Sequence, residues 1–355
     1  MNCRRPNASD RKVRRISMRP QVLICSFLDA ELIKRITDEV PQFDVIYCPE
    51  LLPIPQFSAD HWGNVRELTS SQLEQWREHL ANATIMFDFD WWEPQDWREK
   101  SPKLRWIQAT QAGVGARAEA LGHHDNTMLI TTAAGVHAKP LAEFALAGLL
   151  YFVRDLPALE ARRQTEVWSG GHSTTLYGRR ALMVGAGSIG REVARTLSFM
   201  GVSCDGTTRS GRELGQPFEN SVNLNDCQLE SYDVVVLSCP LTQETRGLFG
   251  EQQISAMKKG SILVNLARGP VLDQDALLAA LVSGHLGGAV LDVASPEPLP
   301  QGDPLWKAPN LVLSPHCAAN VDAENTRLVE LFIKNIRRFL DGEELINRYD
   351  PHAGY

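Results

Sequence analysis

The sequence predicts an α/β protein built from two doubly wound parallel-sheet domains. Short apolar runs alternate with segments of helical periodicity along most of the chain, which is the pattern of parallel strands joined by helices. One of these runs leads through a glycine-rich turn into a helix. The length of 355 residues, 43% of them hydrophobic, is enough for two separate cores.

The glycine-rich turn follows the apolar run Ala181–Val184, which is typical of a buried strand. Three glycines come next at G-x-G-x-x-G spacing: Gly185, Gly187 and Gly190. In this motif the first glycine turns the chain, the second lets the backbone approach a pyrophosphate, and the third lets the helix pack closely on the strand. Because a strand precedes the turn and a helical pattern follows it, the stretch predicts a Rossmann-like dinucleotide site.

The composition narrows the class of protein. The formal net charge of −7 argues against nucleic acid as the main partner. Residues 1–19 carry +6, so the remainder carries −13. This basic leader has no apolar periodicity, and we expect it to be disordered.

No apolar stretch reaches 18 residues, and no secretory signal is visible. Seven scattered cysteines without a C-x-x-C pair indicate free thiols. We therefore expect a cytoplasmic protein without membrane contact, with organelle targeting by the leader as the alternative.

The first domain is predicted to be discontinuous, comprising residues 20–136 and 315–355. Its strands are expected at 22–25, 43–47, 84–87 and 104–109, with helices over 29–40 and 70–80. The long amphipathic helix after Pro315 is expected to end at Gly342 and to pack back on this domain.

Residues 137–314 are predicted to form the dinucleotide-binding domain. Strands are expected at 181–184, 202–206, 234–238, 261–265, 288–293 and 311–313. The segment 139–154, which precedes all of these strands, is apolar on nearly all sides. This predicts a buried helix between the two domains or between subunits.

Two further segments each allow two interpretations. Residues 87–97 hold three tryptophans and four acids after a predicted strand, which fits either a ligand-lining loop or surface cover of the core. His123, His124 and Asp125 suggest a metal site, but they lack the spacing of a zinc pair. A solvated loop and no metal are expected there.

Three stretches in the second half carry a more specific pattern: 264–273 (VNLARGPVLD), 291–300 (LDVASPEPLP) and 313–319 (LSPHCAA). Together with the glycine turn and with 239–245 (CPLTQET), the chain resembles the D-isomer-specific 2-hydroxyacid dehydrogenase family. The resemblance extends from about residue 80 to the C-terminal Gly-Tyr. It implies a flavodoxin-like substrate domain completed by the C-terminal helix, and a homodimer.

Arg268, Glu297 and His316 suit the reduction of a 2-keto acid, and matching residues of the family are catalytic. A guanidinium can bind the substrate carboxylate and polarise the neighbouring carbonyl. A protonated imidazole supplies the proton as hydride reaches the carbonyl carbon. A carboxylate beside the imidazole fixes its orientation and favours its charged form. Each residue alone would fit an ordinary structural role. Because all three follow apolar strands of the same predicted domain, together they favour a catalytic site.

The resemblance also implies binding residues. The loop 111–115 would hold the substrate carboxylate with its backbone N–H groups, and the substrate residues are expected to be Ala112, Gly113, Val114, Trp91 and Arg268. The family often has Asp where Gly115 stands. Cys317 is expected to be a packing residue. The cofactor is expected to contact the glycine turn and the loops after the later strands: Gly185, Gly187, Ser188, Ile189, Gly190, Cys239, Pro240, Thr245, Ala267, Asp292, His316 and Ala318.

The end of the second strand bears on the choice of cofactor. NAD sites place an acid there to hold the ribose hydroxyls, and Asp205 lies 20 residues after Gly185. Alignment on the glycine at 201, as in the family, instead places Thr208 at that position, followed by Arg209 and Ser210. Two hydroxyls and a cation favour a 2′-phosphate, so NADP(H) is expected and NAD(H) is the alternative.

The sequence thus predicts an NADPH-dependent reductase of a small 2-keto acid, of the glyoxylate or hydroxypyruvate type. One alternative is an NAD(H)-dependent dehydrogenase for a bulkier acid, with tryptophans of the 87–97 segment shaping the pocket. Another is a dinucleotide-sensing scaffold similar to the corepressors that resemble this family.

Overall fold

A computed structural model describes residues 19–123, 128–208, 212–352 and 354. Its first sheet has five parallel strands in the order β2-β1-β3-β4-β5. These strands are β1 Gln21–Ile24, β2 Asp44–Ile46, β3 Ala83–Phe87, β4 Trp106–Gln108 and β5 Leu129–Thr131. The four predicted strands agree with β1 to β4 to within a few residues, whereas β5 was not predicted.

Helices cover both faces of the first sheet. They are α1 Ala30–Glu39, α2 Ser70–Asn82, α3 Trp97–Lys100, α4 Gly115–Ala120 and α10 Glu324–Asp341. One face packs on α1 and α10, where the Phe332 ring lies 5.1 Å from Phe87 and 5.4 Å from Trp106 between centroids. The other face packs on α2 and α4, with Trp76 fully buried. The last helix of the chain therefore completes the first core, and it ends at Gly342 with φ 70° as expected.

The second sheet has seven parallel strands in the order β12-β11-β10-β9-β6-β7-β8. They are β6 Arg180–Val184, β7 Ser203–Thr207, β8 Ser221–Val222, β9 Val234–Leu237, β10 Ile262–Asn265, β11 Gly288–Leu291 and β12 Leu311–Leu313. Central strands such as β9 are apolar at every position because helices bury both of their faces. The chain moves from β6 to one side of the sheet and then resumes at β9 on the other. The carboxyl ends of β6 and β9 thus border a topological switch point, where open α/β sheets bind ligands.

Helices also cover both faces of the second sheet. One face packs on α5 Ala138–Val153 and α7 Ser188–Phe199, and the other on α8 Glu251–Ala256 and α9 Gln274–Val282. The apolar helix predicted over 139–154 is α5, and its N-cap residue His137 lies 3.1 Å from Glu324 of α10 in the first domain. The helix α5 packs within the second domain against α7 and β11, where Gly148 gives Val290 room to approach. The two doubly wound sheets confirm the predicted fold class.

Five helices were not predicted from the sequence: α3, α4, α8, α9 and one that follows α5. α6 Leu156–Gln164 follows α5 directly and none of its residues is buried. A helix without a buried face carries no strong apolar periodicity, so its sequence resembles that of a loop. Among the described residues, no helix combines the length and the apolar character needed to cross a bilayer.

Candidate active site

The glycine turn between β6 and α7 has the geometry of a phosphate-binding loop. Gly185 adopts φ 103°, a conformation that glycine takes at little cost. A Cβ at Gly190 would lie 2.1 Å from the carbonyl oxygen of Gly185, so only glycine allows α7 to approach the strand this closely. A Cβ at Gly187 would meet nothing within 4 Å. That open space lies directly before the N-terminus of α7, where a pyrophosphate would fit.

Two hydroxyl groups fix this turn from neighbouring strands. Ser238 Oγ, after β9, donates to the Gly185 carbonyl at 2.8 Å. Thr207 Oγ1, at the end of β7, accepts a hydrogen bond from the Gly185 N–H at 3.0 Å. The backbone of Cys239 also lies against Gly185, since a Cβ at Gly185 would be 2.7 Å from the Cys239 nitrogen. The turn therefore lies between the ends of β7 and β9, at the switch point of the sheet.

Asp205, the other candidate for the ribose hydroxyls, is engaged in contacts within its own domain. Its buried carboxylate accepts hydrogen bonds from Arg180, Asn220 and the Tyr232 hydroxyl at 2.8–2.9 Å. Thr208, directly after β7, has a buried Oγ1 without a hydrogen-bond partner among the described residues. The remaining residues of this predicted cofactor contact, at positions 209 and 210, lie outside the described part of the chain.

The carboxylate of Glu297 and the imidazole of His316 form a direct pair. Glu297 Oε2 lies 2.7 Å from His316 Nδ1, and Glu297 Oε1 accepts the Ala294 N–H at 2.9 Å. Burial of Glu297 favours its neutral form, but these two hydrogen bonds outweigh it and hold the pKa of Glu297 below its ordinary value. The pair leaves Nε2 of the half-exposed imidazole for other contacts.

The end of β11 positions His316. The Asp292 carbonyl accepts the His316 N–H at 2.8 Å, and Asp292 Oδ1 accepts from Ser314 Oγ at 2.7 Å and from the Ala318 N–H at 3.0 Å. His316 itself adopts φ 56°, which is uncommon for a residue with a side chain. Asp292 therefore holds the turn that presents the imidazole.

Arg268 connects the two domains. It follows β10 by three residues and donates from Nη1 to the Ala267 carbonyl at 2.8 Å. Its guanidinium lies against Gly113 of the first domain, where a Cβ would be 2.4 Å from Nη2. Burial lowers the pKa of Arg268, while Glu297 and Asp292 act in the opposite direction. Arginine keeps its charge in proteins, so the guanidinium remains a cation between the two domains.

Comparisons with known proteins show which family this chain belongs to. A family model described as "D-isomer specific 2-hydroxyacid dehydrogenase, NAD binding domain" matches residues 146–318. A glyoxylate reductase of Korarchaeum cryptofilum is 34% identical over 256 residues, which is 69% of this chain and 76% of that protein. The chain belongs to the D-isomer specific 2-hydroxyacid dehydrogenase family.

Two further relatives match a larger share of the dehydrogenase chain. Glyoxylate/hydroxypyruvate reductase A of Salmonella paratyphi B is 28% identical over 85% of this chain and 98% of its own. The crystal structure of a D-isomer specific 2-hydroxyacid dehydrogenase from Xanthobacter autotrophicus Py2, in complex with NADPH and MES, is 27% identical. It matches 95% of this chain and 99% of its own with a TM-score of 0.73. The family resemblance is thus confirmed, and the protein is an NAD(P)-dependent oxidoreductase.

The other expected cofactor contacts lie near the same edge of the second sheet. Cys239 and Pro240 follow β9, and the Thr245 hydroxyl donates to the Pro240 carbonyl at 2.6 Å. Ala267 is buried between β10 and Arg268, and Ser188 and Ile189 begin α7. These residues follow the carboxyl ends of β9 and β10 or begin α7, and their contact with the cofactor stays a prediction.

The loop 111–115 of the dehydrogenase connects β4 to α4. Val114 is buried, and Gly113 contacts Arg268. Gly115 occupies the position where the family often has Asp. A Cβ there would lie 2.6 Å from the carbonyl oxygen of Gly354, so the C-terminal segment fills the space that a side chain would need. No motif in the sequence indicates this contact.

Trp91 packs against other residues of the first domain, and its role in substrate binding stays a prediction. Its indole N–H donates to the Cys25 carbonyl at 2.8 Å, and its ring contacts Trp62 edge-on at a centroid distance of 5.6 Å. The guanidinium of Arg117 lies 5.1 Å from the Trp91 ring centroid. The sequence does not single out Arg117, because this contact joins segments that are separate in the chain.

Two expectations about single residues were wrong. His123 does not lie in a solvated loop, since it is 2% exposed and stacks on Trp97 at 4.3 Å between centroids. Its neighbours at positions 124 and 125 lie outside the described residues. Cys317 is exposed and is not a core packing residue. Within the described residues, no group of three or more His, Cys, Asp or Glu side chains is arranged to hold a metal ion.

Proposed function

We propose that the enzyme reduces a small 2-keto acid, of the glyoxylate or hydroxypyruvate type, to the D-2-hydroxy acid with NADPH. The observation that carries this proposal is the pairing of Glu297 with His316 at 2.7 Å in the domain whose Arg268 contacts Gly113. A proton donor and a carboxylate-binding cation then belong to one site between the two domains.

Each residue has a distinct task in this reaction. Arg268 binds the substrate carboxylate and polarises the carbonyl, because a planar guanidinium pairs well with both oxygens. The backbone N–H groups of the loop 111–115 hold the same carboxylate from the first domain. When bound, the nicotinamide cofactor supplies a hydride to the carbonyl carbon. His316 donates its Nε2 proton to the carbonyl oxygen, and Glu297 keeps Nδ1 protonated and the ring oriented.

The preference for NADPH rests on the residues after β7. Thr208 offers a buried hydroxyl without a partner among the described residues, and Asp205 is fully occupied elsewhere. Arg209 and Ser210 follow in the sequence, and a cation there would attract a 2′-phosphate. The Xanthobacter autotrophicus relative was crystallised with NADPH. Arg209→Ala should weaken NADPH binding much more than NADH binding. Equal losses, or a wild type that prefers NADH, would contradict the preference.

The reaction is tested by following NADPH oxidation with glyoxylate, hydroxypyruvate, pyruvate and phenylpyruvate. We expect turnover with the two small acids first named, a D-configured product, and a large loss of kcat in His316→Gln. Glu297→Gln should lower kcat with little effect on KM for NADPH, because Glu297 acts through the imidazole. Preference for phenylpyruvate would favour a dehydrogenase for bulkier acids. Absence of turnover with all four would favour a dinucleotide-sensing scaffold.

We further propose that the enzyme is a cytoplasmic homodimer formed through α6 and its flanking residues. The α6 surface exposes large apolar side chains that a monomer would leave in water: Tyr151, Leu156, Leu159, Val167 and Trp168. The six cysteines of the described residues are free, which fits a reducing compartment. Light scattering should give twice the chain mass, and Leu159→Asp should produce monomers. A monomeric wild type would exclude the dimer.

A further inference from the structure

The loop 111–115 is tied at both of its ends to one buried carboxylate, Asp88. Asp88 directly follows β3, is completely buried, and adopts φ 70°. Its N–H donates to the Gln108 carbonyl at 2.7 Å, which fixes it beside the end of β4. None of the tasks proposed for the reaction involves this carboxylate.

The first tie is a hydrogen bond at the N-terminal end of the loop. The hydroxyl of Thr110 donates to Asp88 Oδ2 at 3.0 Å. Thr110 is 2% exposed and directly precedes residue 111. Since water does not reach this bond, the charged acceptor holds the chain firmly where the loop begins.

The second tie is an ion pair at the C-terminal end of the loop. Arg117, two residues after the loop, places Nη1 4.0 Å from Asp88 Oδ1. Aromatic rings restrict the guanidinium, with centroids at 4.6 Å for Phe89, 5.1 Å for Trp91 and 5.3 Å for Trp62. The side chain of Arg117 therefore has little freedom to leave Asp88.

The two atoms that face each other in this pair have no other hydrogen-bond partner among the described residues. Asp88 Oδ1 and Arg117 Nη1 are both buried and make no hydrogen bond to any described residue. When one partner of a buried ion pair is removed, the other charge is left uncompensated, which costs far more than the loss of a surface pair. Loss of the Asp88 charge would therefore release both α4 and the loop that precedes it.

We propose that Asp88 is a positioning residue for substrate binding. It acts through Thr110 and Arg117 to hold the loop 111–115 in place opposite Arg268. This inference rests on the proposed function, in which the loop binds the substrate carboxylate. Because the cofactor loop is in the other domain, loss of Asp88 should weaken binding of the 2-keto acid and leave NADPH binding intact.

The test compares Asp88→Asn with Asp90→Asn. Asparagine tolerates positive φ and keeps an oxygen for the Thr110 hydroxyl, so Asp88→Asn removes only the charge. Asp90 is a matched control because it is also buried, yet it accepts hydrogen bonds from Trp76 and from the backbone N–H groups of Trp92 and Glu93. None of its hydrogen bonds involves Thr110 or Arg117.

Asp88→Asn should raise KM for glyoxylate or hydroxypyruvate about tenfold, the usual effect of losing one charged contact. Its kcat and its KM for NADPH should change less than about twofold, since the proton donor and the cofactor loop are untouched. Asp90→Asn should lower the melting temperature without a specific rise in KM. If Asp88→Asn does not fold, Thr110→Val should raise the same KM severalfold, because it removes one tie only.

A second measurement separates this inference from the proposed reaction. Calorimetry on the NADPH complex measures binding of oxamate, a carboxylate that the enzyme cannot reduce. Weaker oxamate binding in Asp88→Asn than in Asp90→Asn supports the positioning role even without turnover. Equal KM and oxamate affinity in the two variants overturns the inference alone. A wild type that neither reduces a 2-keto acid nor binds oxamate overturns the proposed function and this inference together.

Discussion

Substitution of Gly190 by alanine tests whether the glycine turn is as tightly packed as its geometry indicates. A Cβ at this position would lie 2.1 Å from the Gly185 carbonyl oxygen, whereas ordinary contacts begin near 3.4 Å. This oxygen is held in place because it accepts a hydrogen bond from Ser238 Oγ at 2.8 Å, and the backbone of Gly185 lies against Cys239. In Gly190→Ala the helix α7 must therefore move by more than ~1 Å away from strands on which Val193 and Leu197 are buried.

Overpacking of this kind costs about 1–3 kcal/mol, and a backbone obstacle favours the upper part of that range. For a domain of this size, 2–3 kcal/mol corresponds to a fall in melting temperature of about 4–12 °C. Urea denaturation followed by fluorescence measures the loss directly. A titration with NADPH should show weaker binding in the same variant, because the N-terminus of α7 is displaced.

Gly187→Ala is the matched control. A Cβ at Gly187 meets nothing within 4 Å, so the variant should lose less than ~1 kcal/mol, the usual cost of alanine at a helix N-cap. The methyl group would still enter the space left for the pyrophosphate and weaken NADPH binding. A Gly190→Ala variant with wild-type stability would refute the packing argument. Wild-type NADPH affinity in Gly187→Ala would refute the backbone approach.

Two other predictions concern buried polar groups of the first domain. Burial lowers the pKa of His61 despite the nearby Glu324, so the folded protein binds fewer protons there than the unfolded chain. The unfolding free energy should therefore fall as the pH drops below about 6.5, by up to ~1.4 kcal/mol per pH unit. His61→Gln should flatten this slope in urea titrations at pH 5.5–7.5, and an unchanged slope would contradict the assignment. Asn335 bonds both backbone groups of Ile346 at 2.8 and 3.1 Å. Asn335→Leu should lower the unfolding free energy by about 2–5 kcal/mol, while Lys334→Leu on the exposed side of α10 should change it by less than ~0.5 kcal/mol. Equal effects of the two would exclude a role for these hydrogen bonds.

The sequence predicts the elements whose burial is regular. The strand Val234–Leu237 is apolar throughout because both of its faces are covered, and α10 keeps one apolar face along its whole length. The glycine turn can also be recognised in the sequence, since Gly185 needs a positive φ and Gly190 lies too close to the Gly185 carbonyl for any Cβ. The helix α6 cannot be, because no residue of it is buried.

Contacts between distant segments leave no pattern in the sequence. His123 seemed solvated from its polar neighbours, but Trp97 covers it from another part of the chain. The contact between Gly113 and Arg268 joins two domains, and only the family resemblance suggested that both serve one substrate. Asp88 and Arg117 form their pair across the ends of neighbouring elements, and neither belongs to a recognisable motif.

The placement of α10 has a consequence for synthesis. The strands β1 to β5 are complete at residue 131, but the helix that covers Phe87 and Trp106 begins at residue 324. At 5–20 residues per second, the ribosome needs roughly 10–40 s to make the residues between them. The second sheet emerges and can fold during that interval. The first sheet to be translated is therefore the last to be finished, and its aromatic side stays open to chaperones and to other nascent chains until the final helix arrives.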